Sequence, residues 1–192
     1  MDCLTAISTR RSVRAYRPDP IPDEVLQKIM TAALVAPSAD DLQPWFFALL
    51  KSRGAIRDLT GILRPAPERL KEHLEERSSK YPQVIAQTKR FLAKLGEAPV
   101  CVLVFQKEQT YPNTATVIQQ SIAAAIENML LAAWSLGVGS CWLTAPLEAG
   151  LGQGIRERFA PGKGELSALI TLGYPEKVPP APKRKRDRYI IL

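Results

Sequence analysis

The sequence predicts one domain, residues 1–192, in which helices pack against a central β-sheet. Residues 98–105 form an uninterrupted apolar run, typical of a strand that is buried on both faces. Residues 116–135 have helical periodicity but are apolar on nearly every side, so this helix is either fully buried or partly buried against a partner. Two predicted helices precede the first strand and helices separate the strands, which favours a helix-flanked sheet.

Local patterns define the remaining elements. Residues 2–9 are predicted to form a short helix, because Leu4 and Ile7 are spaced to share one face. Three prolines in residues 17–22 exclude a helix, and the next helix begins near Asp23 and ends before Pro37. The other predicted elements are strand 45–50, helix 55–63, a charged helical segment 67–95 broken at Pro82, strand 140–144, helix 147–159 and strand 165–173.

The composition favours an anionic partner. Lysine and arginine number 26 against 19 acidic residues, a formal charge of +7, which suits a phosphate, a nucleic acid or a membrane surface without choosing among them. The N-terminus lacks the apolar core of a signal peptide, and no stretch approaches the roughly 18 apolar residues of a membrane span. We therefore expect a cytoplasmic protein with no membrane partner.

The side chains for protein-borne catalysis are scarce. The single histidine, His73, lies in a charged run and is predicted to be a solvated helix residue, which disfavours a Ser-His-Asp triad and a multi-histidine metal site. The three cysteines are far apart and are predicted to be buried apolar residues in a reducing compartment. Gly137-Val138-Gly139 ends a helix and precedes a strand, the reverse of a dinucleotide-binding loop. If the protein is an enzyme, a cofactor carries the reaction and no metal is involved.

One candidate motif is Arg10-Arg11-Ser12-Val13-Arg14-Ala15-Tyr16. A helical turn would place Arg10 and Arg14 on one side, where guanidinium groups and the Ser12 hydroxyl bind phosphate well. The alternative is a solvated basic helix end.

A second candidate motif runs from Ala36 to Trp45. If this segment makes a tight turn, the side chains of Asp41 and Gln43 lie on one side. Taken alone, the segment could simply be a helix stop and a loop. The apolar helix before it has the right length to bring both motifs to one end of the core.

The C-terminal tail combines a basic run, residues 183–188, with the apolar residues 189–192. The basic run could contact nucleic acid or a membrane, add charge to the same phosphate, or be a solvated end. The apolar ending favours burial, for example as a strand on a neighbouring subunit. Trp134 and Trp142, which flank the glycine turn, are more typical of a core than of a cofactor wall.

These blocks together resemble the FMN-dependent nitroreductase family. The similar segments are Arg-Arg-Ser-Val-Arg at 10–14, Ile-Pro-Asp-Glu-Val-Leu at 21–26, Ala-Pro-Ser with Gln-Pro-Trp within 36–45, residues 123–142, and Ile-Thr-Leu-Gly-Tyr-Pro at 170–175. The resemblance implies an α+β fold with a central mixed sheet flanked by helices, and a homodimer whose C-terminal extension lies on the partner subunit. Helix 116–135 would then suit the apolar dimer interface.

The resemblance also implies a set of FMN-binding residues. Arg10, Arg11, Ser12 and Arg14 would hold the phosphate and ribityl chain, assisted by Arg184 or Arg186 from the tail. The flavin ring would be lined from the partner chain by Pro37, Ser38, Ala39, Asp41 and Gln43, and approached from the other side by Trp142, Leu143 and Thr144. No side chain is expected to be catalytic, because the flavin N5 carries the hydride from NAD(P)H to a small electron-poor acceptor, such as a nitroaromatic or a quinone, in a ping-pong reaction.

Asp41 departs from the family pattern, which usually has Asn at this position. An ionised Asp can only accept hydrogen bonds, and its charge disfavours the anionic reduced ring, so we expect a lowered flavin potential or an altered substrate choice.

Residues 67–95 could cover the site as a lid. Two other classes of function remain: a flavin-binding carrier or sensor without efficient turnover, and a nucleic-acid-binding module, for which interleaved surface aromatics and a recognition motif are lacking.

Overall fold

The computed structural model describes residues 1–78, 82–108, 115–185 and 187–192. Its helices and strands alternate much as the sequence predicts. In chain order they are α1 Cys3–Thr9, α2 Asp23–Leu34, β1 Trp45–Leu50, α3 Arg53–Leu63, α4 Ala66–Arg69, α5 Lys71–Ser78, α6 Pro82–Lys94, β2 Val100–Gln106, α7 Ala115–Ser135, β3 Gly139–Leu143, α8 Ala145–Glu148, α9 Gly152–Phe159 and β4 Glu165–Gly173.

The four strands form one sheet in the order β1-β2-β4-β3, and every neighbouring pair is antiparallel. The predicted mixed sheet is therefore wrong. An unalternated apolar run such as β2 records burial on both faces but not strand direction, and here helices cover both faces of an antiparallel sheet. The one parallel pairing among the described residues is an isolated bridge between Ser12 and Ser140, outside the four strands.

The core consists of two apolar layers, one on each face of the sheet. On one face, Val102, Val104 and Ile170 pack with α2 and α7. On the other face, Leu103, Phe105 and Leu169 pack with α3, α6 and α9. Adjacent residues of β2 thus point into opposite layers, as the pleat requires. Among the described helices, none is long and apolar enough to cross a membrane.

Two predicted helical segments are more broken than expected. Residues 147–159 form α8 and α9 rather than one helix, because Gly150 adopts a left-handed φ of 66° that ends α8. The segment 67–95 forms α4, α5 and α6; α6 begins at Pro82, and the predicted break before it falls on residues 79–81, outside the described residues. The side chains of Phe91 and Leu92 on α6 are buried in the core, and a lid role for the segment stays a prediction.

Substitution of Gly164 tests how tightly β4 is placed against β2. A Cβ at Gly164 (φ 94°) would overlap the carbonyl oxygen of Gln106, whereas a Cβ at Gly162 (φ 73°) would meet no atom within 4 Å. Both changes to alanine strain a left-handed residue, but only one adds a backbone clash. We expect Gly164→Ala to lower the free energy of unfolding by about 3 kcal/mol and Gly162→Ala by about 1 kcal/mol. Urea denaturation measures both, and equal losses would contradict the packing described.

Candidate functional site

The basic motif is an extended segment, not a helix. Helix α1 ends at Thr9, and Arg10 has the extended angles φ −54°, ψ 138°. The segment lies beside the start of β3, where the amide of Val13 donates to the carbonyl of Ser140 at 2.8 Å. The expected helical turn at residues 10–14 is therefore wrong. Alternate residues of an extended chain share a side, however, so the same three residues, Arg10, Ser12 and Arg14, remain together.

Tyr16 anchors this segment in the core. Its hydroxyl lies 2.7 Å from the Thr171 hydroxyl on β4, and it donates to the carbonyl of Val13 at 2.7 Å. Burial raises the pKa of Tyr16, so the phenol stays neutral and able to donate. The amide of Tyr16 also donates to the carbonyl of Gly96 at 3.2 Å. The arginines on either side of Val13 are thereby held on a rigid support.

A cavity of about 330 Å³ forms over this segment. It brings together the predicted phosphate-binding residues and the tail, since its lining residues are Arg10, Arg11, Ser12, Arg14, Pro179, Pro180, Pro182 and Arg184. These residues carry four arginines and no acidic group, so the cavity is strongly electropositive. Arg186, the other predicted tail residue, lies outside the described residues. We refer to this cavity as the arginine pocket.

Each N-terminal arginine of the pocket is oriented by a neighbour. Arg11 donates from Nη1 to the carbonyls of Ser8 and Arg10, at 3.0 and 2.7 Å. Arg14 donates to the carbonyl of Ser12 at 3.3 Å, and its guanidinium carbon lies 6.0 Å from the centre of the Phe91 ring. These contacts use only part of each guanidinium, which leaves donors for a ligand.

Arg10 has an acidic partner that sequence reasoning missed. Its Nε lies 3.3 Å from Oε1 of Glu127, and both side chains are partly exposed. Glu127 is the one charged residue in the sequence of α7, and that isolation in an apolar helix was a signal that could have identified it. The ion pair turns Arg10 toward α7 and offsets part of the pocket's positive charge.

The second motif forms a tight turn, so the side chains of Asp41 and Gln43 lie together. Gln43 Nε2 donates to Asp41 Oδ1 at 2.8 Å, and the amide of Gln43 donates to the Ser38 hydroxyl at 3.1 Å. Asp40, Asp41 and Gln43 all have positive φ, at 49°, 53° and 44°. Three left-handed residues other than glycine in one short loop are unusual and are typical of a functional loop. We call residues 37–43 the polar loop.

Within one chain, the polar loop and the arginine pocket are separate. No residue of the polar loop is among the described residues that line the pocket. The loop is fixed to α7 through the amide of Ala39, which donates to the Ser121 hydroxyl at 3.3 Å, whereas Arg10 is fixed to Glu127. Those two α7 residues are six positions apart, about 9 Å along the helix axis. The described chain therefore does not bring the two motifs into one cavity.

The residues at the end of β3 differ in what they can offer a ligand. Trp142 is 37% exposed, whereas the side chain of Leu143 is buried in the core, which leaves only the Leu143 backbone for contact. Thr144 donates from its hydroxyl to Glu148 at 2.6 Å. None of residues 142–144 is among the described residues that line the arginine pocket. Trp134 is half-buried and donates to the Thr9 hydroxyl at 2.9 Å, a structural contact between α7 and α1.

The histidine and the cysteines take no obvious part in the site. His73 is partly exposed, with Nε2 3.6 Å from the Glu148 carboxylate. Cys101 and Cys141 are buried as predicted, but the prediction is wrong for Cys3, which is exposed on α1. Burial raises the pKa of Cys101 to about 12. Burial also raises the pKa of Cys141, although the positive charges of Arg14 and Arg10 oppose that shift.

Comparison with known proteins identifies the class to which this fold and site belong. The profile described as the nitroreductase family matches residues 7–174. A protein of Methanothermobacter thermautotrophicus, provisionally named NADH dehydrogenase/NAD(P)H nitroreductase, is 33% identical over 93% of this chain and 80% of its own length. Iodotyrosine deiodinase of Hydra vulgaris is 30% identical over 96% of this chain and 69% of its own length.

The solved structures agree. The nitroreductase with bound FMN from Bacteroides fragilis is 26% identical in sequence to this chain. The two structures superpose with a TM-score of 0.76 over 100% of this chain and 99% of that one. The chain belongs to the nitroreductase family and is an oxidoreductase of that family. The resemblance drawn from the sequence motifs is confirmed.

The buried cysteines give a prediction about thiol reactivity. Only a thiolate reacts readily with DTNB, and raised pKa values keep Cys101 and Cys141 protonated at pH 8. We expect the native Cys3→Ser variant to show almost no DTNB reaction within minutes, and to release about two equivalents of thionitrobenzoate in guanidinium chloride, one for each remaining cysteine. Rapid labelling of the native variant would show that the core around β2 and β3 is open.

Proposed function

We propose that this protein is an FMN-dependent oxidoreductase that passes reducing equivalents from NAD(P)H to a small electron-poor acceptor. In this proposal residues 1–192 form a single FMN-binding domain and two chains form a homodimer with two sites. The observation that carries the proposal is the arginine pocket, which gathers Arg10, Arg11, Arg14 and Arg184 around Ser12. The acceptor class is a nitroaromatic, a quinone or a similar compound.

The arginine pocket has the donor set that a flavin phosphate needs. A phosphate carries up to two negative charges and three terminal oxygens, and guanidinium groups bind such oxygens through paired hydrogen bonds. Arg11 and Arg14 keep free donors toward the cavity, and Ser12 adds a hydroxyl. The volume of about 330 Å³ accommodates a phosphate and a ribityl chain, and none of the proposed ring-contacting residues, 37–43 and 142–144, lines the cavity. We therefore place the ring outside this cavity.

The separation of the two motifs supports a site shared between subunits. In the proposed dimer, the polar loop of one chain completes the pocket of the other, with Pro37, Ser38, Ala39, Asp41 and Gln43 along the ring. Trp142, Leu143 and Thr144 face the ring from the pocket's own chain, Leu143 through its backbone. Arg186 is proposed to join Arg184 at the phosphate.

Exposed apolar residues favour such a dimer. Leu4 and Ile7 on α1 are exposed in the single chain, as are residues 189–192 at the end of the tail. Contiguous exposed apolar groups mark interaction surfaces in soluble proteins. We propose that α1, the half-exposed face of α7 and the tail meet the partner subunit, with the tail extending across it.

The residues around the site position the reactants rather than react themselves. Bound FMN would supply the hydride chemistry, and NAD(P)H and the acceptor would use the same space in turn. The arginines fix the phosphate end, the polar loop offers hydrogen-bonding groups to the ring, and Trp142 excludes water beside it. No side chain is assigned as an acid, base or nucleophile.

The primary test is the absorbance spectrum of the purified protein, followed by anaerobic addition of NADPH. We expect a flavin spectrum, release of FMN identified by mass, and rapid bleaching that a nitroaromatic or a quinone reverses. A halotyrosine belongs in the acceptor panel, because the Hydra relative is named for that class. A yellow protein that NADPH and NADH fail to bleach would be a carrier or sensor, and a colourless protein that takes up no FMN would refute the proposal.

The arginine pocket yields a matched pair of variants. Arg14→Gln removes a phosphate donor, and we expect the dissociation constant of FMN to rise by about tenfold or more, since a hydrogen bond to a charged group contributes about 1.5–3 kcal/mol. Arg17→Gln removes the same charge from an arginine that pairs with Asp19 and does not line the pocket, so it should change FMN binding little. Fluorescence titration of the apoprotein measures both. Equal weakening would assign the effect to overall charge.

Asp41 provides a test of electrostatics at the ring. Replacing its carboxylate with an amide removes a negative charge from the proposed ring site. We expect Asp41→Asn to raise the two-electron midpoint potential of bound FMN by about 30 mV, which corresponds to about 1.4 kcal/mol. Redox titration with indicator dyes measures the potential, and Asp40→Asn, one position earlier in the same turn, is the control. An unchanged midpoint potential would show that Asp41 does not lie close to the flavin ring.

A further inference from the structure

A second cavity, of about 620 Å³, lies near the end of β1 and the start of β2, whereas the arginine pocket lies beside the start of β3. It opens between the extended segment before α2, the end of β1, the first turns of α3, and the junction of α6 with β2. It shares no lining residue with the arginine pocket among the described residues. We propose that this cavity, called the α3 cavity below, binds an organic anion with an apolar body, such as an aromatic or alkyl carboxylate, sulfonate or phosphate.

The floor of the α3 cavity is apolar and already in place. Ile21, Ala98 and Val100 are buried core residues whose surfaces form the bottom of the cavity. Pro18, Pro20 and Pro99 stand beside them, and fixed proline φ angles stiffen these walls. A preformed apolar concavity of this size is typical of a small-molecule site. An apolar ligand body would displace water from this floor.

Two of the four cations around the α3 cavity are already neutralised. Lys51 forms an ion pair with Asp23, and Lys94 lies 3.5 Å from the Glu97 carboxylate. Arg53 and Arg57, by contrast, form no ion pair and no side-chain hydrogen bond with any residue that the structure describes. Their spacing of four positions on α3 places both guanidinium groups on the same side of the helix. The uncompensated charge is therefore concentrated on one wall.

The start of α3 adds to this positive wall. Ser52 caps the helix, its hydroxyl accepting from the amide of Ala55 at 3.1 Å, so α3 begins at the cavity. The partial positive charge of a helix N-terminus reinforces nearby cations. Arg53, Arg57 and this helix end together can hold one anionic head group while the floor covers the rest of the ligand.

The charge pattern selects among anions. An inorganic anion could use the two arginines but would leave the apolar floor in water. A nucleic acid strand would place successive phosphates along the cavity, where Glu97 would repel them, and its backbone would not cover the apolar floor. A small amphiphilic anion satisfies both the arginine wall and the floor, and it is the class we assign.

The test uses FMN-saturated protein and the probe naphthalene-2-sulfonate, with binding measured by isothermal titration calorimetry. We expect saturable binding of one probe per chain, and binding of the neutral analogue 2-naphthol at least about tenfold weaker. The double variant Arg53→Gln/Arg57→Gln should weaken the sulfonate about tenfold or more and leave 2-naphthol unchanged. The control Arg64→Gln/Arg90→Gln removes the same charge from exposed arginines outside the cavity and should bind the probe as the wild type does.

A second variant tests the location without changing charge. Ala93 is exposed at the wall of the cavity, and Ala93→Trp should fill the space and weaken both probes while retaining the circular dichroism of the wild type. The flavin absorbance reports the competing location, because a probe in the redox site would perturb that spectrum. Sulfonate binding that survives both variants, that shifts the flavin spectrum, or that is absent at millimolar concentration would overturn the proposal.

Discussion

The candidate site depends on one constraint: the extended basic segment is fixed beside the start of β3. The amide of Val13 donates to the carbonyl of Ser140. The hydroxyl of the buried Tyr16 lies within hydrogen-bonding distance of the Thr171 hydroxyl on β4. Because Val13 and Tyr16 are buried, the residues between and before them have little freedom. Flexible arginines on a free terminus would lose much conformational entropy on binding an anion. Here folding of the core has already ordered the backbone that carries them.

Helix α7 contacts both the polar loop and the basic segment. One part of it binds the polar loop through Ser121, and a later turn binds Arg10 through Glu127. These anchors are six positions apart on α7, and no residue of the polar loop lines the arginine pocket of the same chain. The same helix buries one side in the core and leaves residues such as Ala123 half-exposed. Its nearly uniform apolar sequence therefore includes both the residues buried in the core and the half-exposed residues.

Local signals predicted those parts of the fold that depend on nearest neighbours. Strands 45–50 and 165–173 match the observed bounds, because apolar runs with turn residues at both ends determine strands locally. Strand direction did not follow, since a run buried on both faces is alike in parallel and antiparallel sheets. The break at Gly150 was missed because glycine is tolerated inside helices as well as at their ends. The isolated charge of Glu127 marks that residue in the sequence, but its partner Arg10 is 117 positions away, and a single sequence has no local record of their pairing.

The polar loop shows how a sequence can alter the electrostatics of a site without altering its backbone. Left-handed residues other than glycine cost about 1–3 kcal/mol each, and they persist where surrounding bonds hold them. Ser38 and Asp41 supply those bonds through Gln43. Asp and Asn both tolerate the left-handed region, and either side chain can accept from Gln43 through an oxygen. An Asp at position 41 therefore keeps the turn that an Asn would make and changes only the charge and the donor capacity. An exchange between Asp and Asn at this position would therefore affect what the loop contacts rather than the turn itself.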